Sequence, residues 1–131
     1  MGNGATLHAI GLTIEAVPAY NNRQPKGRAN GYVLTLGGMR FYMSGDTGAT
    51  DEMRALTDID VAFVCMNLPF TMDASQAADA VSEFQPAFVY PYHYRGRDGG
   101  TQDPKEFASL LGETDAETEV RIGDWYNPDV I

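Results

Sequence analysis

Two polar residues, Asp46 and His93, each follow an apolar, strand-like run and are the residues of this chain that could do chemistry together. Asp46 is flanked by Gly45 and Gly48, which allow backbone angles that a side chain would forbid. In α/β proteins, ligands and catalytic groups collect at the ends of strands. We therefore expect the acid and the imidazole to converge on one site.

Each of the two residues also has a purely structural interpretation. Asp46 can cap the helix that begins near Asp51 or close a turn. His93 stands between Tyr92 and Tyr94 and can be a packed, hydrogen-bonded histidine rather than a metal ligand. Local sequence alone leaves these interpretations open.

The elements that must position these residues alternate between strands and helices. Strand patterns cover residues 6–10, 12–17, 31–36, 39–44, 60–66, 87–92 and 119–122, and helical spacing covers 51–56, 73–84 and 104–111. Gly37 and Gly38 predict a two-residue hairpin turn. Pro18 should end the second strand and leave residues 19–30 as a polar loop. This order of elements predicts an α/β fold.

The composition limits the classes of function. The chain has 131 residues, 44% of them hydrophobic, which suits one folded domain. Its net charge of −9 repels phosphate backbones and anionic lipid, so nucleic acid and membrane surfaces are excluded as expected partners. Cys65 has no second cysteine to pair with and is expected to be a buried thiol. Without a membrane span or a basic, apolar leader, we expect a soluble, cytoplasmic protein.

Five motifs stand in the order seen in the metallo-β-lactamase-fold hydrolases, which the chain therefore resembles. The motifs are Ala16-Val17-Pro18-Ala19-Tyr20-Asn21, Tyr42-Met43-Ser44-Gly45-Asp46-Thr47, Asp60-Val61-Ala62-Phe63, Phe70-Thr71-Met72 followed by Gln76-Ala77-Ala78, and Tyr90-Pro91-Tyr92-His93-Tyr94. The likeness is greatest to the lactonase-like branch, which contains uncharacterised metal-dependent hydrolases. No single motif is decisive, but five in order across most of the chain are specific.

The resemblance implies a four-layer αββα sandwich with one or two zinc ions at an edge of the sheets. It implies that Asp46 is the carboxylate that bridges two metals and that His93 is the last histidine ligand, both being catalytic residues. Two metals lower the pKa of a bridging water until hydroxide forms near neutral pH, and this hydroxide attacks an ester, lactone, amide or phosphoester. The candidate substrate loops are residues 20–30, 67–72 and 95–103.

The sequence departs from the superfamily in its principal metal-binding motif. That motif, His-x-His-x-Asp-His, belongs to the first half of the domain and is absent from this chain, which has two histidines in all. We therefore expect residues 1–131 to form a single, partial domain equivalent to the C-terminal half of the fold. Catalytic zinc normally has three protein ligands, so the chain alone should bind metal weakly and be weakly active or inactive.

Half of a two-sheet fold should expose an apolar sheet face. The residues expected on it are Val33, Phe41, Val61, Phe63, Phe88 and Tyr90. Such a face predicts either a homo-oligomer or a partner that supplies the missing N-terminal half. The resemblance, for its part, implies a small-molecule substrate. The alternative is a non-catalytic half-domain that serves as an assembly or binding module, in which Asp46 and His93 are structural hydrogen-bonding groups.

Overall fold

The structure is a computed structural model that describes residues 2, 4–9, 11–21, 24–68, 71–94 and 102–125. Strands and helices alternate in its second half, so the predicted α/β class is confirmed. The strands are β1 (Thr6–Ala9), β2 (Leu12–Asn21), β3 (Gln24–Leu36), β4 (Met39–Met43), β5 (Val61–Cys65), β6 (Phe88–Tyr92) and β7 (Glu119–Val120). The helices are α1 (Asp51–Arg54), α2 (Ala74–Phe84) and α3 (Pro104–Gly112). None of these helices has the length and apolar character needed to cross a bilayer.

The described strands form one seven-stranded sheet in which spatial order follows chain order from β1 to β7. The first four strands pair antiparallel through hairpins. From β4 onward the pairing is parallel, with helices in the connections. The C-terminal ends of β4, β5 and β6 therefore lie along one edge of the sheet.

The β2–β3 hairpin is longer than the sequence predicts. Strand β2 does not end at Pro18 but continues to Asn21, and the predicted loop at residues 19–30 is wrong because most of it is paired strand. Strand β1 pairs with β2 only as far as Glu15, so the missing N–H of Pro18 interrupts no described ladder. Asn22 and Arg23 lie outside the described residues. The predicted Gly37–Gly38 turn is confirmed, with φ of +56° and +80°.

The core lies between one face of the sheet and the helices. The sheet contributes Val33, Tyr42, Ala62, Val64 and Val89, and the helices contribute Met53, Ala77, Val81, Phe84, Phe107 and Leu111. The predicted spacing of α2 is confirmed, since Ala77, Ala80, Val81 and Phe84 are all buried. Asp73 begins this helix by accepting a hydrogen bond from the N–H of Gln76, in a reciprocal capping box.

The opposite face of β4, β5 and β6 is called the open face. It carries Phe41, Met43, Val61, Phe63, Phe88 and Tyr90, which are half-buried or exposed. Phe63 and Tyr90 stack across the two parallel strands with ring centroids 5.3 Å apart. The expectation that Val33 belongs to this face is wrong: it is fully buried, because its register with Tyr42 points it towards the helices.

Candidate functional site

Asp46 lies just past the end of β4, where the chain turns through a glycine. Gly45 has a φ of +66°, and a Cβ atom there would come within 2.9 Å of the carbonyl oxygen of Asn30. Gly31 is packed against the same loop, since a Cβ on it would lie 2.6 Å from the carbonyl oxygens of Met43 and Ser44. The loop thus rests directly on the backbone of β3, which fixes the height of Asp46 above the sheet.

Buried hydroxyl groups hold the loop on both sides of Asp46. The Oγ1 atom of Thr47 lies 3.1 Å from both the amide nitrogen and the carbonyl oxygen of Tyr20. The Oγ atom of Ser44 accepts a hydrogen bond of 3.1 Å from the amide of Cys65. Both hydroxyl residues are fully buried, whereas the Asp46 side chain is 57% exposed. Its position is therefore set by its neighbours, and its carboxylate is left accessible.

The capping interpretation of Asp46 is wrong. The N-cap of α1 is Thr50, whose side chain accepts a hydrogen bond of 3.1 Å from the amide of Met53. The side chain of Asp46 instead faces His93.

His93 follows β6 in a left-handed backbone conformation, with a φ of +54°. Such a conformation is costly for a residue with a side chain and is typical of functional sites. The side chain is 44% exposed, so the imidazole is not packed away between its two tyrosines. Its Nδ1 atom lies 3.3 Å from Oδ1 of Asp46, and its Nε2 atom lies 3.2 Å from Nδ2 of Asn67. The structure thus brings both residues singled out in the sequence to one open site.

The parallel strands explain why these residues meet. Met43 is level with Phe63 in β5, and Phe63 is level with Tyr90 in β6, so the loops after the three strands start side by side. Asn67 follows the middle strand and lies against the imidazole. The sequence analysis placed Asn67 in a candidate substrate loop but did not predict its contact with His93, although Asn67 stands after its strand just as Asp46 and His93 stand after theirs.

The separation of the two side chains fits joint ligation of one cation. Zinc is bound tetrahedrally by carboxylate oxygen and imidazole nitrogen at about 2.0–2.2 Å, which places two ligand atoms about 3.3–3.6 Å apart. Oδ1 of Asp46 and Nδ1 of His93 are 3.3 Å apart. Over the part of the chain that the structure describes, no group of three or more His, Cys, Asp or Glu side chains is placed to hold a metal.

Cys65 is close to the site but is a poor additional ligand. It is a free, fully buried thiol, as expected from the sequence. Burial is the largest cause that raises the pKa of this thiol, and burial disfavours the thiolate form. A metal requires the thiolate form.

A polar cluster borders the site on the side of the β2–β3 hairpin. The hydroxyl of Tyr20 donates a hydrogen bond of 2.7 Å to Glu52, and the Lys26 ammonium lies 2.5 Å from the other carboxylate oxygen. The hydrogen bond from Lys26, and then that from Tyr20, lowers the pKa of Glu52. A cleft of about 440 Å³ opens beside this cluster, lined in part by Tyr20, Arg54 and Thr71.

The structure describes only some of the residues of the three predicted substrate loops. Residues 20 and 21 lie at the end of β2, and Tyr20 borders the cleft. Residues 67 and 68 and residues 71 and 72 flank Pro69 and Phe70, which lie outside the described residues. Residues 95–101 also lie outside them.

Comparison with known proteins identifies the family. The sequence profile of the beta-lactamase superfamily domain matches residues 1–94. The chain belongs to the beta-lactamase superfamily. A UPF0173 metal-dependent hydrolase of Aeropyrum pernix is 35% identical over 125 residues, which cover 93% of this chain and 51% of that protein. One of Thermococcus onnurineus is 35% identical over 111 residues, covering 79% and 50%. The chain spans about half the length of these superfamily relatives.

Solved structures confirm the superfamily fold. A proposed metal-dependent hydrolase of Parabacteroides distasonis matches 93% of this chain and 56% of its own, with a TM-score of 0.81 and 43% sequence identity. The metallo-beta-lactamase fold protein YhfI of Bacillus subtilis matches 91% and 49% with a TM-score of 0.71. At 14% identity, that second likeness concerns the fold alone.

Proposed function

We propose that this chain supplies two zinc ligands, Asp46 and His93, to a metal-dependent hydrolase of the beta-lactamase superfamily. The observation that carries the proposal is the 3.3 Å separation of Oδ1 and Nδ1, which suits two ligands of one tetrahedral ion. The relatives' description as metal-dependent hydrolases supports it. When bound, such an ion would lower the pKa of a water molecule and so provide a nucleophile for an ester, lactone, amide or phosphoester.

The chain's own residues act by holding these ligands in place. Gly45 and Thr47 fix the loop on the hairpin, so the Asp46 carboxylate is preorganised and would hold a cation without rearrangement of the loop. The strained backbone of His93 aims the imidazole at Asp46 rather than away from the sheet. Preorganised ligands lose little conformational entropy when a cation binds.

We propose that the remaining ligands come from another polypeptide segment. A catalytic zinc ion takes three protein ligands and an open position, and Asp46 and His93 provide two. The relatives are about twice as long as the stretch that matches this chain. We propose that a segment equivalent to their other half covers the open face and carries the missing histidines. By itself the chain should then hydrolyse substrates weakly or not at all.

Zinc titration by isothermal calorimetry tests the ligand assignment. Wild type should bind zinc weakly, and Asp46→Asn and His93→Ala should each weaken binding by at least about tenfold, since even groups that only support a ligand contribute 10–100-fold. His8→Ala is the matched control, because His8 is the other histidine and is exposed beside Thr13. Equal zinc affinity of wild type and the two site variants would overturn the assignment.

Completion of the fold tests the activity. We propose joining the chain to the N-terminal half of the Aeropyrum pernix relative, which should restore tight zinc binding and zinc-dependent hydrolysis of a generic ester or phosphodiester. Asp46→Asn or His93→Ala in the fusion should abolish most of this activity. A fusion that folds but neither binds zinc nor hydrolyses would favour the assembly module, with Asp46 and His93 as a structural pair.

The second part of the proposal concerns what covers the open face of β4, β5 and β6. Met43 is 38% exposed and Trp125 is 48% exposed, and they border an apolar cleft of about 480 Å³ beside His93. In the absence of the completing half, we propose that a second copy of the chain covers this face. Light scattering should show a dimer or larger oligomer for the isolated chain and a monomer for the fusion. A well-folded monomer of the isolated chain at micromolar concentration contradicts this part.

A further inference from the structure

Two side-chain amides meet on the backbone carbonyl oxygen of Asp46. The Nδ2 atom of Asn21 and the Nε2 atom of Gln24 each lie 3.3 Å from this oxygen. Asn21 is the last residue of β2 and Gln24 is the first residue of β3, and the two are paired across the hairpin. A carbonyl oxygen only accepts hydrogen bonds, so both amides must present their NH₂ groups to it. Together they use both of its lone pairs.

The two amides hold a different part of the site loop from its other contacts. Gly45 rests on β3 before Asp46, and Thr47 and Gly48 are hydrogen-bonded to Tyr20 after it. The carbonyl oxygen of Asp46 belongs to the peptide group between Asp46 and Thr47. Because a peptide group is planar, holding this oxygen fixes the ψ angle of Asp46. Since the rotamers open to a side chain depend on φ and ψ, the amides also influence the direction of the carboxylate.

The end of the hairpin that carries the amides is itself anchored. The Lys26 ammonium lies over the Tyr20 ring, 5.7 Å from its centroid. Both side chains also bind the Glu52 carboxylate in α1. One of these residues comes from β2 and the other from β3, so both strands are held against the helix. The amides therefore extend from a fixed base and impose a position on Asp46.

We propose that Asn21 and Gln24 are positioning residues that hold the Asp46 carboxylate towards His93 for cation binding. The Asp46 side chain is 57% exposed, and without such support an exposed aspartate averages over staggered rotamers. A backbone carbonyl oxygen is also a ligand for hard cations such as Ca²⁺. With both lone pairs of that oxygen in use, Asp46 offers a cation its carboxylate alone. The inference rests on the proposed function for its purpose.

The orientation of Asp46 can be measured without metal. In the zinc-free chain, three-bond NMR couplings from Cγ of Asp46 to its backbone nitrogen and carbonyl carbon report which χ1 rotamers are populated. Wild type should show a single rotamer. The double variant Asn21→Leu, Gln24→Met keeps the side-chain sizes and removes both donors, so the couplings should become averaged. In isothermal calorimetry it should bind zinc about tenfold more weakly than wild type, as expected for groups that support a ligand.

Gln102→Met is the matched control. The Gln102 side chain also bonds to the backbone, since it accepts a hydrogen bond of 3.1 Å from the Ala74 amide, but this contact lies at the start of α2. The control loses a hydrogen bond and should leave the Asp46 couplings and the zinc affinity unchanged. Each single variant, Asn21→Leu or Gln24→Met, should give partial averaging and provides the test if the double variant does not fold.

Three results would overturn the inference. They are averaged couplings in wild type, wild-type couplings or undiminished zinc affinity in the double variant, and an equal effect of Gln102→Met, which would show that overall stability is responsible. Equal zinc affinity of wild type, Asp46→Asn and His93→Ala would instead sink the proposed function. In that case the metal-free couplings would still decide whether the amides orient Asp46.

Discussion

Thr47 is hydrogen-bonded to both backbone polar groups of Tyr20, although 27 residues separate them in the chain. The contact ties the loop that carries Asp46 to the end of the β2–β3 hairpin. Gly48 strengthens the tie, because its amide donates a hydrogen bond of 2.7 Å to the carbonyl oxygen of Tyr20. The hairpin extension that sequence reasoning missed is therefore the support on which the site loop rests.

Replacing Thr47 by valine tests this support. Thr47→Val keeps the shape of the side chain but removes the hydroxyl, leaving the half-buried amide of Tyr20 without its partner. The free energy of unfolding should fall by about 1–3 kcal/mol in urea denaturation. Thr57→Val is the control, since Thr57 is exposed and is expected to change stability by less than about 0.5 kcal/mol. Similar values for the two variants contradict the supporting role.

Two glycines allow the destabilisation caused by a left-handed backbone angle to be measured separately from the destabilisation caused by steric crowding. Gly37 and Gly45 have similar φ values, +56° and +66°, but only Gly45 has a close neighbour, Asn30. Gly37→Ala should destabilise through strain alone, by roughly 1 kcal/mol. Gly45→Ala should lower the free energy of unfolding by at least about 1 kcal/mol more, because its Cβ clashes with a backbone carbonyl. Equal losses would show that the loop does not rest tightly on β3.

Two tyrosine-to-phenylalanine substitutions should change the free energy of unfolding in opposite directions. The hydroxyl of Tyr42 is buried without a described hydrogen-bond partner, and burial raises its pKa well above the ordinary value. Tyr42→Phe should therefore raise the free energy of unfolding by about 1 kcal/mol. Tyr20→Phe loses a hydrogen bond to Glu52 and should lower it by about 0.5–1.5 kcal/mol. A loss of stability in Tyr42→Phe, measured by thermal or urea unfolding, would show that the hydroxyl is satisfied in solution.

The Glu52 cluster predicts a pH dependence of stability. Lys26 and Tyr20 hold the pKa of Glu52 below its ordinary value of 4.5. A carboxylate with a depressed pKa stabilises the folded state above the ordinary value, and this contribution is lost as the pH falls through the lowered pKa. The stability difference between wild type and Glu52→Gln should therefore be largest near neutral pH and should shrink in acid. For Glu117→Gln, at an exposed position, the difference should be small at every pH.

The sequence predicts the candidate pair because the relevant signals are local. Asp46 and His93 each follow an apolar strand, and parallel strands bring their ends to one edge whatever the rest of the chain does. The face assignment of Val33 failed for a non-local reason. An alternating pattern indicates that successive side chains point to opposite faces of the sheet. It does not indicate which face the helices cover, because that depends on the register of β3 with β4.

The contact of Asn67 with His93 and the extension of the β2–β3 hairpin also could not be predicted from local sequence. Nothing in the residues around Asn67 indicates that its amide meets an imidazole 26 positions away. Pro18 is a strand breaker only where its N–H is needed, and the pairing partner that decides this is set by tertiary structure. Both features depend on contacts between distant segments, which periodicity does not encode.

The sequential order of the sheet has a consequence for synthesis of the chain. From β2 onward, each strand pairs with the strand made immediately before it, so its partner has already left the ribosome when it emerges. The four antiparallel strands need only short-range hairpin contacts and can form early. Asp46 is thus presented on the antiparallel part of the sheet while His93 is still to be translated, beyond α2 and β6. A cation that requires both residues can be captured only in the later part of translation or after release.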